Sequence, residues 1–170
     1  MATTLLDGTD PFSVSATTAG QSQTLNFTAF NPALGTLTGV EIDIVDAMAS
    51  ASGTLTNGSG ASHTYTISQV ATLTAVGDGF NATADFNAGT LNVGSVAAHA
   101  VADITSGTAS GTGTQTLNSG LAPFTSPIAL MVTGANQFVS TPGSSTIVIS
   151  PDVTGTVSLY FDYTPAVVIP

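Results

Sequence analysis

Two carboxylates, Glu41 and Asp43, stand two residues apart in the segment FNPALGTLTGVEIDI at 30–44. Side chains two residues apart on a β-strand point to the same face and lie roughly 7 Å from each other. Two carboxylates at this spacing suit an acid/base pair or the shared ligation of a metal. The alternative, which the pattern favours, is a solvated strand face whose charges discourage pairing with a wrong strand.

Calcium is the metal that such acids would suit, because Ca²⁺ prefers carboxylate and carbonyl oxygens. The chain has ten acids and no Lys or Arg to pair with them. The candidate ligands are Asp7, Asp10, Glu41, Asp43, Asp46 and Asp78, with Asp85 as a further one. The sequence contains neither an EF-hand loop nor a glycine-rich calcium repeat. The calcium prediction therefore rests on composition alone.

The sequence contains few residues that could perform catalysis. The only imidazoles are His63 and His99, and there is no cysteine, whereas a zinc site needs three or four ligands. His99 and Asp103 would share a face if 94–103 were helical. The nucleophile elbow G-x-S-x-G is missing. We therefore expect both histidines to be ordinary surface or core residues, and we expect no enzyme.

Composition excludes several further classes of protein. Charged residues make up 6% of the 170 residues, and the formal net charge is −10. Nucleic-acid binding depends on Lys and Arg, and anionic membrane surfaces also attract these residues, so we expect neither partner. No run approaches the 18 apolar residues that a membrane helix needs, so we expect no membrane insertion. An acidic, cysteine-free chain rich in Gly, Ser and Thr fits an extracellular or cell-surface protein of bacteria.

Apolar and polar residues alternate along much of the chain, which is the pattern of half-buried β-strands. Turn signals such as Asn57-Gly58 and Gly77-Asp78-Gly79 separate the alternating segments. These segments are 12–16, 25–29, 40–44, 63–67, 128–133, 137–141, 146–150 and 156–163. Their spacing predicts an all-β fold, a single β-sandwich of jelly-roll or immunoglobulin-like type with about 8–11 strands.

Four segments are ambiguous. The small-residue segments 43–52 and 94–103 are the two places where a helix is plausible. The Gly/Ser/Thr tracts 50–62 and 106–116 read either as loops or as flat strands with a weakly specified register.

Three segments together resemble the bacterial choice-of-anchor E domain: FNPALGTLTGVEIDI at 30–44, SGLAPFTSPIALMVTG at 119–134 and TGTVSLYFDYTP at 154–165. The resemblance spans roughly residues 20–165. It implies a protein that is secreted or displayed at the bacterial surface and has no catalytic residues. Members of that family usually carry a signal peptide and a C-terminal sorting anchor, and this chain shows neither pattern. A released, self-assembling relative would need no membrane anchor.

The two ends of the chain suggest how copies would assemble. We divide the chain into an N-terminal tail and first strand at 1–19, a sandwich at 20–165 and a C-terminal tail at 166–170. The apolar residues that we expect to fill a neighbour's sheet edge are Leu5, Leu6, Phe12, Val167, Val168 and Ile169. The first hypothesis is thus a subunit of a surface fibre or biofilm matrix that assembles by strand addition. The alternative is a surface adhesin that binds glycans, with or without calcium.

Overall fold

The computed structural model describes residues 3–14, 21–86, 90–105 and 109–167, and it places most of their side chains. Within β1 it places the side chains of Thr4 and Leu5 and the position of Gly8. The described residues form ten strands and two short 3₁₀ helices, at Pro32–Leu34 and Ala122–Thr125. The strands are β1 (Thr3–Val14), β2 (Gln21–Phe27), β3 (Gly35–Asn57), β4 (His63–Gly77), β5 (Phe80–Phe86), β6 (Thr90–Val96), β7 (Val101–Thr105), β8 (Ala109–Leu117), β9 (Ile128–Thr141) and β10 (Ser145–Pro165).

All ten strands belong to one curled antiparallel sheet, so the prediction of an all-β fold is confirmed. The strands follow one another in the order β1-β10-β3-β8-β5-β4-β9-β2, with β6 added to β4 and β7 added to β3. The sheet divides into two halves, β1-β10-β3-β8 and β5-β4-β9-β2, which is the order that a jelly roll uses. A short ladder between β5 and β8, from Asp85 opposite Thr112 to Phe86 opposite Gly111, joins the halves.

The main hydrophobic core lies between the two halves. Val40, Ile42 and Ile44 of β3 point into it, as their alternation with Glu41 and Asp43 predicts. The facing half contributes apolar side chains from β2, β4, β5 and β9, among them Leu25, Phe27, Leu73, Ala82, Leu130 and Val132. Burial of these two apolar faces supplies the main driving force for the fold.

A second, smaller core lies at the other end of the long strands. It contains Leu55, Tyr65, Ile67, Val96 and Ile104, which are all fully or almost fully buried. These residues come from β3, β4, β6 and β7, because β6 extends β4 and β7 extends β3 at this end. The connection from β6 to β7 therefore crosses from one half of the sandwich to the other.

Neither of the two segments in which a helix is plausible forms a helix. Residues 43–52 continue strand β3, in which Ala47, Ala49 and Ala51 point inward and Met48 is exposed. This is a period of two, so the small apolar residues cover a sheet face and not a helix face. Residues 94–103 contain the end of β6, a turn at His99 and the start of β7. His99 and Asp103 are therefore not on one helix face.

The Gly/Ser/Thr tracts form strands over most of their length. The first tract supplies the end of β3, and the second supplies β8 from Ala109 onward. A glycine at position 113 is required by the close packing of β8 on β5, because a Cβ there would collide with the backbone carbonyl oxygen of Thr83. The predicted turn at Gly77-Asp78-Gly79 joins β4 to β5 as a two-residue hairpin. Asp78 and Gly79 both have positive φ, at 48° and 91°, which suits a type I′ turn.

The three segments that carry the family resemblance meet at one end of the main core. The Phe30 N–H donates to the Phe124 carbonyl oxygen at 2.8 Å, which ties the first segment to the second. The Phe30 ring packs edge-to-face on Phe161 of the third segment, with the ring centroids 5.5 Å apart. Phe124 in turn packs on Phe80 at 5.4 Å. The aromatic residues of these segments therefore serve packing.

Candidate assembly surfaces and acidic sites

The predicted donor segment forms β1, which is a terminal strand of the sheet. Its antiparallel register with β10 runs from Thr3 opposite Tyr163 to Val14 opposite Val153, with one irregularity between Leu6 and Gly8. In the order of strands β1 pairs with β10 alone. Residues 3–14 therefore complete the sandwich of their own chain, and main-chain hydrogen bonds to a single neighbouring strand hold them there.

Side-chain contacts add to this ladder. Leu5 is paired with the buried Phe161, so it lies over the core face. A Cβ atom at Gly8 would lie 3.5 Å from the Phe27 ring, which shows how closely β1 approaches β2. On the outer face the Thr4 hydroxyl donates to Asp162 Oδ1 at 2.6 Å. Among the described side chains of β1, Leu5 thus lies on the core face and Thr4 makes a polar contact on the outer face.

The structure describes only part of the remaining predicted assembly residues. The backbone of Leu6 and Phe12 belongs to β1, but their side chains are outside the described positions, as are Val168 and Ile169 altogether. The Ala166 N–H donates to the Leu34 carbonyl oxygen at 2.9 Å, one residue after β10 ends. Val167 follows with 85% of its surface exposed. It is a large apolar side chain that this chain's own fold leaves in water.

Glu41 and Asp43 share the outer face of β3, as their spacing predicts. The Thr116 hydroxyl of β8 donates to Glu41 Oε2 at 2.9 Å, and the Thr114 hydroxyl donates to Asp43 Oδ1 at 2.7 Å. Each carboxylate is thus paired across the strand with a threonine, in the register that joins β3 to β8. All four side chains remain accessible to water.

The other acids are spread over the molecule. Asp46 lies at an irregularity of β3 and has a positive φ of 51°. Asp78 occupies the hairpin turn, where its Oδ2 accepts from the Ala129 N–H at 3.3 Å. Asp85 is exposed on β5. The side chains of Asp7 and Asp10 lie outside the described positions.

The described part of the chain contains no group of three or more His, Asp or Glu side chains that could hold a metal ion. Glu41, Asp43, Asp46 and Asp78 are therefore not gathered into such a group. Calcium binding stays a prediction, since the side chains of Asp7 and Asp10 lie outside the described positions. His63 packs beside the Tyr65 ring with centroids 6.1 Å apart, and His99 occupies the turn between β6 and β7.

A buried polar cluster at the far end of the second core is a feature that the sequence does not reveal. The Asn57 side chain is fully buried, and its Nδ2 donates to the carbonyl oxygens of Ala61 at 2.8 Å and of Val96 and Ala97 at 3.0 Å. Asn57-Gly58 is a turn signal, and Asn57 also begins a glycosylation sequon. Neither pattern predicts that the Asn57 amide is buried, because the groups that it binds lie up to 40 residues away in the sequence.

The oxygen of the same amide links β3 to β4. Asn57 Oδ1 accepts from the Ser59 N–H at 2.9 Å and from the Tyr65 hydroxyl at 2.7 Å. The Tyr65 hydroxyl oxygen also lies 3.2 Å from Ser144 Oγ, just before β10. The cluster therefore joins the β3–β4 turn, the end of β6 and the β9–β10 turn around one side chain.

Comparisons with known proteins add little to this description. No family model matches the chain, and no curated protein matches it. The chain is similar to one in a structure of the infectious bursal disease virus Gx strain, at 17% identity and a TM-score of 0.19. A structure of the Gt strain gives 16% identity and a TM-score of 0.16. The aligned regions cover 98% and 95% of this chain but 38% and 43% of the viral chains.

The chain thus spans about two fifths of the viral chains that it matches. At these TM-scores the similarity supports no argument about function, and the description of the fold stands on the strand order alone. Among the described residues, no helix has the length and apolar character that crossing a membrane requires.

Proposed function

We propose that this chain is an extracellular structural protein, a subunit of a bacterial surface fibre or biofilm matrix that assembles by addition of β-strands. The observation that carries the proposal is the position of β1. A terminal strand that is held by one ladder can form the same ladder on a neighbouring copy, since the acceptor strand β10 is identical in every copy. The apolar Leu5, which is 38% exposed, then lies opposite Phe161 of the neighbour, at the edge of its core face.

The chain length between β1 and β2 limits how copies can be arranged. The link runs through residues 15–20, SATTAG, which have small side chains. Six residues with their flanking bonds span at most about 20–25 Å. Because Val14 pairs with Val153, the Val153 position of the β10 strand that receives a donated β1 must lie within about that distance of the donor's own β2. Successive subunits would consequently be in direct contact, as in a continuous fibre.

The absence of cysteine from the natural sequence allows a direct test by cross-linking. Thr4 and Asp162 are opposite each other on β1 and β10, and their side chains touch on the outer face. We would prepare the single variants Thr4→Cys and Asp162→Cys, give one a mass tag, refold the two together and oxidise them. A disulfide between the two species forms only where the β1 of one copy lies on the β10 of another.

We expect cross-linked heterodimers and, from the double variant, covalent ladders on a non-reducing gel. The matched control is the pair Ser52→Cys and Thr105→Cys, which are opposite each other on β3 and β7 within one chain. Their mixture should give no heterodimer. If the Thr4 and Asp162 mixture behaves like this control while the double variant closes within single chains, strand addition through β1 is refuted.

A further inference from the structure

Three neighbouring strands, β2, β9 and β4, contain no acidic residue and no Lys or Arg. Their outer face carries threonine, serine, alanine, glutamine, asparagine and four exposed large apolar side chains. These four are Val70, Val76, Met131 and Val139. Val76 and Met131 are directly opposite each other, and Val139 is opposite Ser68, the second residue before Val70. We call this outer face of β2, β9 and β4 the uncharged face.

The other half of the sandwich carries most of the charge. Six acids with described side chains lie on its strands: Glu41, Asp43, Asp46, Asp103, Asp152 and Asp162. Asp78 and Asp85, in the β4–β5 turn and on β5, flank the uncharged face at one edge. The eight carboxylates whose side chains the structure describes are thus distributed unevenly, with six on the strands of one half and two at an edge of the other.

We infer that the uncharged face is an interaction surface and that its partner is a second copy of this chain, docked through the same face. Two copies of a chain with a net charge of −10 repel each other, and like charges brought together at an interface cost several kcal/mol. Contact through the uncharged face keeps the acids of both copies in water on the outside. The exposed apolar side chains of β4 and β9 would then be buried by the packing of sheet on sheet.

The size of the face determines how tightly such a pair would bind. Thr66–Val76 of β4 runs beside Met131–Thr141 of β9, which at 3.4 Å per residue is about 35 Å of paired strand. With β2 included and strands about 4.8 Å apart, the face covers about 450 Å² per copy. Two copies would bury about 900 Å², which is just below the size of stable specific interfaces. We therefore expect a weak dimer, with a dissociation constant on the order of 0.1 mM.

The test uses a protein in which strand addition is blocked, so that the two proposals can fail separately. The double variant Thr4→Cys/Asp162→Cys is refolded at low concentration, oxidised, and purified as the monomer closed by its own disulfide. Sedimentation equilibrium of this closed monomer from about 10 µM to 1 mM then measures association through the uncharged face, without a contribution from strand addition. We expect the dimer fraction to rise with concentration. We also expect association to strengthen from 20 to 500 mM NaCl, because salt screens the remaining repulsion.

Two valines offer a matched pair of variants in that closed background. Val139 on β9 is 61% exposed on the uncharged face, and Val148 on β10 is 66% exposed on the other half. Val139→Glu should weaken dimerisation at least tenfold, because both copies then bring a carboxylate into the interface. Val148→Glu adds the same charge on the other half and should change the dissociation constant of the dimer less than twofold. Gln137→Glu, at an exposed position of the same face, repeats the first change with almost the same side-chain shape.

Three outcomes would overturn the inference. The closed monomer stays monomeric at 1 mM, or Val148→Glu weakens association as much as Val139→Glu, or the face variants leave association unchanged. A thermal melt of each variant excludes loss of fold as the cause of a change. Because the closed monomer cannot exchange β1, none of these outcomes depends on the cross-linking result.

Discussion

Replacing Asn57 by alanine is the perturbation that tests the internal architecture most directly. One side chain there makes hydrogen bonds to five groups and is completely buried. Alanine removes both the donor and the acceptor and puts no polar atom in their place. The Val96 carbonyl oxygen and the Tyr65 hydroxyl are the buried partners, whereas Ala61 and Ser59 lie nearer to water.

The expected cost follows from this division. A buried polar group that loses its partner costs about 1–3 kcal/mol, and a bond whose groups can return to water contributes about 0.5–1.5 kcal/mol. The Val96 carbonyl oxygen loses this buried donor, whereas the Tyr65 hydroxyl keeps Ser144 Oγ at 3.2 Å as a partner. Together with the partly exposed bonds, the loss in the free energy of unfolding is about 3–5 kcal/mol. For a domain of this length each kcal/mol lowers Tm by about 2–4 °C. Asn57→Ala should therefore lower Tm by about 10 °C.

Urea unfolding of the closed monomer, followed by circular dichroism, measures this loss without interference from assembly. With a slope of about 2 kcal/mol per molar urea, the midpoint should fall by about 2 M. Asn26→Ala is the matched control, because Asn26 is exposed on β2, and such a change should stay within about 0.5 kcal/mol. A loss below 1 kcal/mol for Asn57→Ala would show that the cluster does not tie the second core together.

Two further predictions concern the joint between the halves and the acidic face. Gly113→Ala should destabilise the fold by at least about 2 kcal/mol in urea unfolding, because the added methyl group meets the Thr83 carbonyl oxygen where β8 packs on β5. Gly143 has open space around it, so Gly143→Ala should leave the free energy of unfolding unchanged in the same titration. The double change Glu41→Gln/Asp43→Asn should alter the free energy of unfolding by less than about 1 kcal/mol, since each carboxylate accepts one exposed threonine hydroxyl. A chelator that lowers the Tm of the parent protein but not of this variant would contradict that expectation and identify the two acids as calcium ligands.

Strand periodicity predicted the fold well where large apolar residues alternate with polar ones. The segment 40–44 shows this, because three branched apolar side chains point inward and two acids point outward. The pattern was ambiguous at 43–52, where alanines supply the inward positions. Alanine fits a helix as well as a strand, so a period of two is hidden when the inward residues are small. The neighbouring strands β10 and β8 decide the conformation there.

The candidate sites were less predictable, since they depend on contacts distant in sequence. The shared face of Glu41 and Asp43 follows from spacing alone, but their partners Thr116 and Thr114 depend on the register between β3 and β8. The Asn57 cluster joins residues from four parts of the chain. The uncharged face likewise becomes visible only when β2, β9 and β4 are known to be neighbours.

The two proposed contacts use different parts of the sandwich, and this separation has a physical consequence. Strand addition occupies the edge of β10, in the acidic half, while the uncharged face belongs to β2, β9 and β4. Copies that are linked by strand addition would present uncharged faces in a row. A contact whose dissociation constant is on the order of 0.1 mM is negligible between two free copies. Its effect is multiplied when many copies are linked, because each later contact then forms within one assembly. A weak face would therefore leave single subunits soluble and still bring completed fibres together side by side.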